Sequence, residues 1–313
     1  MTYLDFLNKH FPVRRSAEEK KKFRSYILSE AEKMGLHSSV ETTLDGKNDN
    51  VIIGDPKTAK VVLTAHYDTP ATSIFPNLMI PRCQPLFWAY QFLPVIVMLA
   101  IALSISYLVG MVWLQDSRAY MLTFLAIYYG LYFIMFRGFS NPKNYNDNTS
   151  GVATLLEIMR GLDEDKKTSV AFIFFDNEEK GKKGSKAYFS DHETDMNKKL
   201  LINFDCVGNG ETIVFIAKEE AEKTDEYKAL MNSFAQNGEY TTEFYPMRGS
   251  ESNSDYKNFP MGIGCMACKR TKGGMLYTPA IHTPKDTVAK NGNIEYITDG
   301  IVRFLGEIKN EAD

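Results

Sequence analysis

Val170-Ala-Phe-Ile-Phe-Phe-Asp-Asn-Glu-Glu179 runs six apolar residues into a segment that ends in paired carboxylates. A run without polar alternation suits a strand covered on both faces, the usual condition in parallel sheets. Two other stretches repeat the pattern. Val61-Val-Leu-Thr-Ala-His66 ends in an imidazole, and Leu200-Leu-Ile-Asn-Phe-Asp205 ends in a carboxylate. In open sheets of this kind, ligands gather in the crevice beyond the strands' carboxyl ends. One strand-end Asp or His carries little weight, because caps and satisfied surface groups are common there. Several strands delivering such groups to the same edge point to a site.

Working outward, Val51–Gly54, Ile213–Ala217 and Ile263–Ala267 read as further strands. Ala17–Met34 has helical spacing through Phe23, Tyr26, Ile27, Ala31 and Met34, and Gly35 suits its C-cap. Thr149-Ser-Gly opens a helix with Val152, Leu155, Leu156 and Met159 on one side. Asp225–Asn237 and Glu295–Asn310 also read as helices. Strands alternating with helices predict an α/β fold, with a mostly parallel (mixed) central sheet and helices on both faces. No internal repeat or low-complexity linker interrupts it.

At 313 residues, 44% hydrophobic and 24% charged, the chain can bury a large core. A formal net charge of -3 gives no electrostatic case for nucleic acid, and Lys20-Lys21-Lys22 and Lys182-Lys183 lie among Glu residues as solvated faces. Four cysteines, Cys83, Cys206, Cys265 and Cys268, do not make a secreted disulfide framework. Cys265-Met-Ala-Cys268 has no second pair, so it reads as two buried thiols rather than a structural zinc site. Met1 to Ala17 lacks the apolar core and cleavage site of a signal peptide.

An apolar insertion separates His66 from Asp147. From Cys83 to Gln115 there is no Asp, Glu, Lys or Arg. Val95–Leu114 would span about 30 Å as a helix, the thickness of a bilayer's hydrocarbon core. Gln115-Asp-Ser-Arg118 is a short polar turn, and Ala119–Phe136 is a second charge-free run of roughly 27 Å. Arg118 and Arg137 at its ends can snorkel, and Trp88, Trp113, Tyr120 and Tyr132 add interfacial aromatics. Neither run shows a polar stripe at helical spacing, so buried core helices are the weaker reading. Residues 83–136 therefore read as a hairpin inserted in the lipid bilayer. Even crossing parity keeps His66 and Asp147 on one side. Arg82, Arg137 and Lys143 flank its base, and the positive-inside bias places the rest of the chain in the cytoplasm. The expected division is a catalytic domain of residues 1–74 and 140–313 with a hairpin of residues 75–139.

His66, Asp147, Glu178, Glu179, Asp205 and His282 form the candidate constellation. Two imidazoles with several carboxylates suit zinc, with manganese or cobalt as possible substitutes. Five ligands, one of them bridging, leave positions open for water. Two ions about 3.5–4 Å apart would acidify that water and polarise a carbonyl, and an unligated carboxylate could carry its proton. Asp68, two residues after His66, is placed to orient it through its other nitrogen.

These segments resemble the co-catalytic di-zinc exopeptidases of the bacterial leucyl aminopeptidase and glutamate carboxypeptidase type. The matching segments are AHYDT (Ala65–Thr69), NDNTSG (Asn146–Gly151) and FFDNEEKGKKGS (Phe174–Ser185), followed by NFDCVG (Asn203–Gly208), SDYKNF (Ser254–Phe259) and IHTPKDT (Ile281–Thr287). The resemblance implies that His66 and Asp205 bind one zinc, Glu179 and His282 the other, and that Asp147 bridges them. It implies Glu178 as general base, activating a metal-bridging water, and Asp68 as the partner of His66. Ser150 and Gly151 would permit the turn behind Asp147, and Asp286 would stabilise its loop.

The sequence departs from that pattern in three places. Glu251, Ser252 and Asn253 stand where some relatives carry an oxyanion-stabilising Tyr, leaving Arg248 or Tyr277 as substitutes. Gly181-Lys-Lys-Gly-Ser185 replaces a Gly-Leu-x-Gly-Ser, on an expected surface turn. The hairpin lies outside the common pattern, and its base is expected to wall or cover the cleft. The leading expectation is a membrane-anchored aminopeptidase acting on peptides. A single-zinc glutaminyl cyclase and an inactive receptor or scaffold on the same fold are the alternatives, and the complete ligand set speaks against both.

Overall fold

A computed structural model describes residues 1–73, 77–134, 138–234 and 238–308. Ten strands among them form one sheet: β1 (Ser38–Thr42), β2 (Asp49–Ile53), β3 (Val61–His66), β4 (Asn77–Met79), β5 (Val170–Phe175), β6 (Leu200–Phe204), β7 (Thr212–Ala217), β8 (Thr241–Pro246), β9 (Gly262–Arg270) and β10 (Leu276–Ile281). Their order is β1-β2-β5-β3-β6-β9-β10-β4, with β7 paired to β9 and β8 to β7. The centre, β5-β3-β6-β9, is parallel. Strands β2, β7 and β10 join it antiparallel, so the sheet is mixed at its margins.

The helices are α1 (Tyr3–His10), α2 (Ala17–Lys33), α3 (Gln84–Ser106), α4 (Ser117–Tyr132), α5 (Gly151–Gly161), α6 (Lys183–Asp191), α7 (Glu193–Met196), α8 (Glu219–Glu222), α9 (Asp225–Ser233) and α10 (Asn291–Glu307). Alternate strand residues divide between two cores, as the period of two requires. Leu63, Phe172, Phe174 and Ile202 pack with residues of α1, α2, α5, α9 and α10. Val62, Ile173, Phe175 and Leu201 pack on the opposite face with Tyr188 of α6 and Met196 of α7. Cys265 belongs to the first core and Cys268 to the second, which fits two buried free thiols.

The continuous apolar strands are where the sequence reading put them. Strands β1, β4, β8 and β10 were not expected, because they are short or carry exposed polar residues that mimic loops. Helix α2 starts at a capping box, in which Ser16 and Glu19 each satisfy the other's backbone N–H. Helix α9 stops at Ser233, where Phe234 turns extended, and residues 235–237 of the expected helix lie outside the described residues. The closing helix begins at Asn291, ahead of the expected Glu295, and its expected end at Asn310 also lies outside them.

The apolar insertion is a helical hairpin. Pro85 in the first turn suits the start of α3, which continues as a wider-turned segment, Tyr107–Trp113. Asp116 caps α4 by accepting the Arg118 N–H at 2.7 Å. Near the tip the helices touch at Gly110, where a Cβ would lie 2.2 Å from the Tyr120 Cα. Among the described residues Gln84–Trp113, 30 residues long with an 18-residue stretch at a mean hydropathy of 2.5, is the one helix long and apolar enough to cross a membrane. Helix α4 has 16 residues, and Phe136 and Arg137 at the end of the expected second run lie outside the described residues. Phe92, Ile96, Leu108, Met121, Leu122 and Tyr129 are each more than half exposed on this hairpin.

Candidate metal centre and cleft

Register brings the site together. His66 lies opposite Phe175 and Thr64 opposite Asn203, so β3, β5 and β6 deliver His66, the Glu178–Glu179 turn and Asp205 to one edge. Asp147 arrives from the turn before α5, and His282 directly follows β10. All six residues of the expected constellation converge.

Asp147 stands between the two imidazoles. Its Oδ1 is 3.3 Å from His66 Nε2 and its Oδ2 is 2.9 Å from His282 Nε2. His66 Nε2 is also 3.7 Å from Asp205 Oδ1, and His282 Nε2 is 3.4 Å from Glu179 Oε2. Three ligand-sized groups result, His66–Glu178–Glu179, His66–Asp147–Asp205 and Asp147–Glu179–His282, and the last two share Asp147. His66 Nε2, Asp205 Oδ1 and Glu179 Oε1 are buried with no hydrogen-bond partner. Orphaned buried donors and acceptors are costly and rare, and these three point inward among nitrogen and oxygen ligands suited to zinc.

The surrounding groups hold this arrangement. Asp68 accepts the N–H groups of Glu178 and Glu179 at 2.9 and 3.2 Å, and its Oδ1 lies 3.4 Å from His66 Nδ1. Asp286 accepts the N–H groups of Asn146 and Asp147, each at 3.0 Å, which is the loop-stabilising role expected of it. Gly151 is obligatory, because a Cβ would lie 2.3 Å from the Phe204 carbonyl oxygen. Ser150 Oγ donates to the Asn146 carbonyl at 2.6 Å and accepts the Val207 N–H at 3.1 Å. Among the described residues, Gln115 aside, the non-glycine residues at positive φ are Asn177, Lys182, Cys206, Ala280 and His282, all on segments that build the site. Backbone strain of this kind clusters at functional sites.

The charges are poised for a cation. Burial opposes ionisation of His282, yet Glu179 and Asp147 push its pKa up to about 10. Burial likewise opposes charge on His66, but Asp147, Asp205 and Asp68 outweigh it and raise its pKa well above the ordinary value. Burial favours the neutral form of Asp147, but His282 and His66 hold its carboxyl well below the usual range. Glu179 is pushed up to about 8 by burial, with Asp147 adding to the effect. Glu178 is raised well above a normal carboxyl by burial, with the charges of Asp255, Glu179 and Asp205 adding to it.

A cleft of about 400 Å³ opens on this floor. Met79, Phe87, Trp88 and Gln91, from β4 and the start of α3, line one side. The hairpin's base is therefore a wall of the cleft, as expected. Arg82 fastens it, donating to Ser250 Oγ at 2.8 Å and stacking over the Tyr245 ring at 4.2 Å.

Residues 139–304 match the model of peptidase family M28. The chain belongs to that family. It is a metallopeptidase, and peptides are its substrate class. The matched span of this M28 chain holds Asp147, Glu178, Glu179, Asp205 and His282 but stops short of His66 and Asp68. Among solved structures, a Porphyromonas gingivalis glutaminyl cyclase superposes with a TM-score of 0.59 at 16% identity, covering 97% of this chain and 96% of that one. A Zn-dependent exopeptidase from Parabacteroides distasonis gives 0.57 at 16% identity, over 98% and 96%. A leucine aminopeptidase precursor from Bacteroides thetaiotaomicron gives 0.56 at 16%, over 98% and 95%. No curated protein matches the sequence.

Sequence reasoning passed over several residues of the M28 site. Asp255 is fully buried, accepts from Ser185 Oγ at 2.5 Å, and is pushed up to about 7 by burial, with Asp68 and Asp205 adding to it. Arg14, also fully buried, donates to the carbonyls of Tyr67 at 2.5 Å and Phe11 at 2.7 Å and to Thr149 Oγ1 at 3.2 Å. It ties the strip carrying His66 to the turn carrying Asp147. Nothing in a local pattern marks an arginine used this way. Lys182, expected on a surface turn, lines the cleft, whereas neither Arg248 nor Tyr277 does.

Proposed function

We propose that this M28 chain is a membrane-anchored di-zinc aminopeptidase that hydrolyses N-terminal residues from peptides. The observation that carries the reading is the shared carboxylate: Asp147 offers one oxygen to the His66 group and the other to the His282 group. His66 and Asp205 would hold one zinc, Glu179 and His282 the other, and Asp147 both. When bound, the ions polarise the scissile carbonyl and lower the pKa of water. Glu178 takes the proton of the attacking water and returns it to the leaving amine, a transfer favoured by the raised proton affinity of its buried carboxyl. Asp68 fixes the His66 ring and the turn that aims Glu178. Asp286 fixes the backbone of Asp147.

Residues 1–74 and 140–313 form the catalytic domain in this proposal, and residues 75–139 a hairpin that crosses the bilayer twice. The exposed apolar side chains of α3 and α4 support that placement, and the basic flanks Arg82 and Lys143 favour a cytoplasmic catalytic domain. Phe87 and Trp88 then turn the cleft towards the membrane surface, favouring short peptides or chain ends presented there. A substrate panel tests the activity. Leucine amide should be hydrolysed, its N-acetylated form should not, and a chelator should abolish turnover. Cyclisation of N-terminal glutamine without amide hydrolysis would instead establish the single-zinc cyclase.

A further inference from the structure

The cleft is chemically divided. Met79, Phe87, Trp88 and Ile281 make one side apolar, while Lys182 and Lys257 bring two ammonium groups to it. Lys182 sits at φ 56°, a conformation that favours glycine, and its N–H donates to the Glu178 carbonyl at 2.7 Å. The lysine thus springs from the same turn as the proposed base. Its Nζ donates to Asn253 Oδ1 at 2.5 Å and meets no carboxylate among the described residues. Lys257 is half-buried, and Glu251 approaches it only to 3.5 Å. Burial holds its pKa below the ordinary value against the pull of Glu251, and the charge of Lys182 adds to the depression. Lys182 therefore has no carboxylate partner among the described residues, while Lys257 pairs with Glu251, which also lines the cleft.

An aminopeptidase places the free amine of its substrate at the acidic floor, among Glu178, Glu179 and Asp205. The rest of the peptide then lies in the same cleft, which Lys182 and Lys257 also line. The anionic group of an ordinary peptide is a carboxylate. We propose that Lys182 and Lys257 form a carboxylate subsite beyond the scissile bond, selecting peptides with a negative charge there. This rests on the aminopeptidase reading. Two sources share the chemistry: the C-terminal carboxylate of a dipeptide and an acidic side chain following the cleaved bond.

The test compares Leu-Gly, Leu-Gly-amide and Leu-Asp-amide with the zinc-loaded full chain in detergent. Leu-Gly or Leu-Asp-amide should exceed Leu-Gly-amide in kcat/KM by at least about tenfold, mostly through KM, as for a hydrogen bond to a charged group. The preferred member identifies the source. Lys182→Gly, which suits the backbone conformation, should bring the ratio close to parity, and Lys182→Arg should restore it. Equal kcat/KM on all three substrates in the unmodified chain overturns the proposal without reference to any variant. So does a preference that survives in the Lys182→Gly, Lys257→Gln double variant. Failure to cleave any of the three removes the aminopeptidase reading itself, and the subsite with it.

Discussion

Asp286→Asn separates the support of the site from its ligands. The carboxylate is 1% exposed and accepts the N–H groups of Asn146 and Asp147 at 3.0 Å each. Asparagine keeps one acceptor and turns an amide donor towards the other N–H. Burial pushes the Asp286 carboxyl up to about 8, so one ordinary hydrogen bond is lost and one buried donor is left unpaired, together about 2–4 kcal/mol. For a chain of this size that lowers the unfolding midpoint by roughly 5–15 °C. The larger effect concerns the ion. Asp147 must present both oxygens in fixed directions, and removing such outer support costs about 10- to 100-fold in metal affinity. Thermal unfolding in detergent and zinc competition against a chromophoric chelator read the two effects. A variant with the wild-type midpoint and wild-type zinc affinity would refute the reasoning.

Two further outcomes follow from the same structure. Without metal, His282 with a pKa near 10 and Glu179 near 8 both carry protons at neutral pH, and zinc must displace them. Zinc affinity should therefore rise with pH between about pH 6 and pH 8, and a flat profile would contradict the assigned ligands. Trp88 and Trp113 are the two tryptophans, and Trp113, near the hairpin tip, is 83% exposed. In vesicles of brominated lipid, Trp88→Phe and Trp113→Phe should each leave a tryptophan quenched most by bromines near the headgroups. Absence of quenching in both would show that the hairpin does not insert.

The fold was legible where burial leaves a plain mark. Strands β3, β5 and β6 are buried throughout and mostly apolar because both faces are covered, and each hands a ligand-type residue to the same edge. The marginal strands escaped because partial exposure lets residues such as Thr241, Glu243 and Tyr277 stand where a strand pattern would ask for apolar ones. The six candidate residues were legible from strand ends and from resemblance. Arg14 was not, since it acts through contacts with residues distant in sequence, and Asp255 lay within the matching segment SDYKNF without a role being read for it. Lys182 was read as solvated because charge runs usually are; only the fold turns that side chain into the cleft. The hairpin's apolarity was evident, while its role as a cleft wall depends on Arg82 and Phe87 docking against loops that no periodicity reveals.

Metal content and turnover of the Glu178→Gln variant test the central claim most directly. Glutamine preserves the shape of the side chain and removes the proton acceptor, while the groups sharing Asp147 stay intact. Elemental analysis should find two zinc ions per chain in both proteins, with hydrolysis of leucine amide falling about 10²- to 10⁴-fold in the variant. Loss of zinc from the variant, or undiminished hydrolysis with both ions present, would contradict the assignment of Glu178 as the base beside a two-ion site.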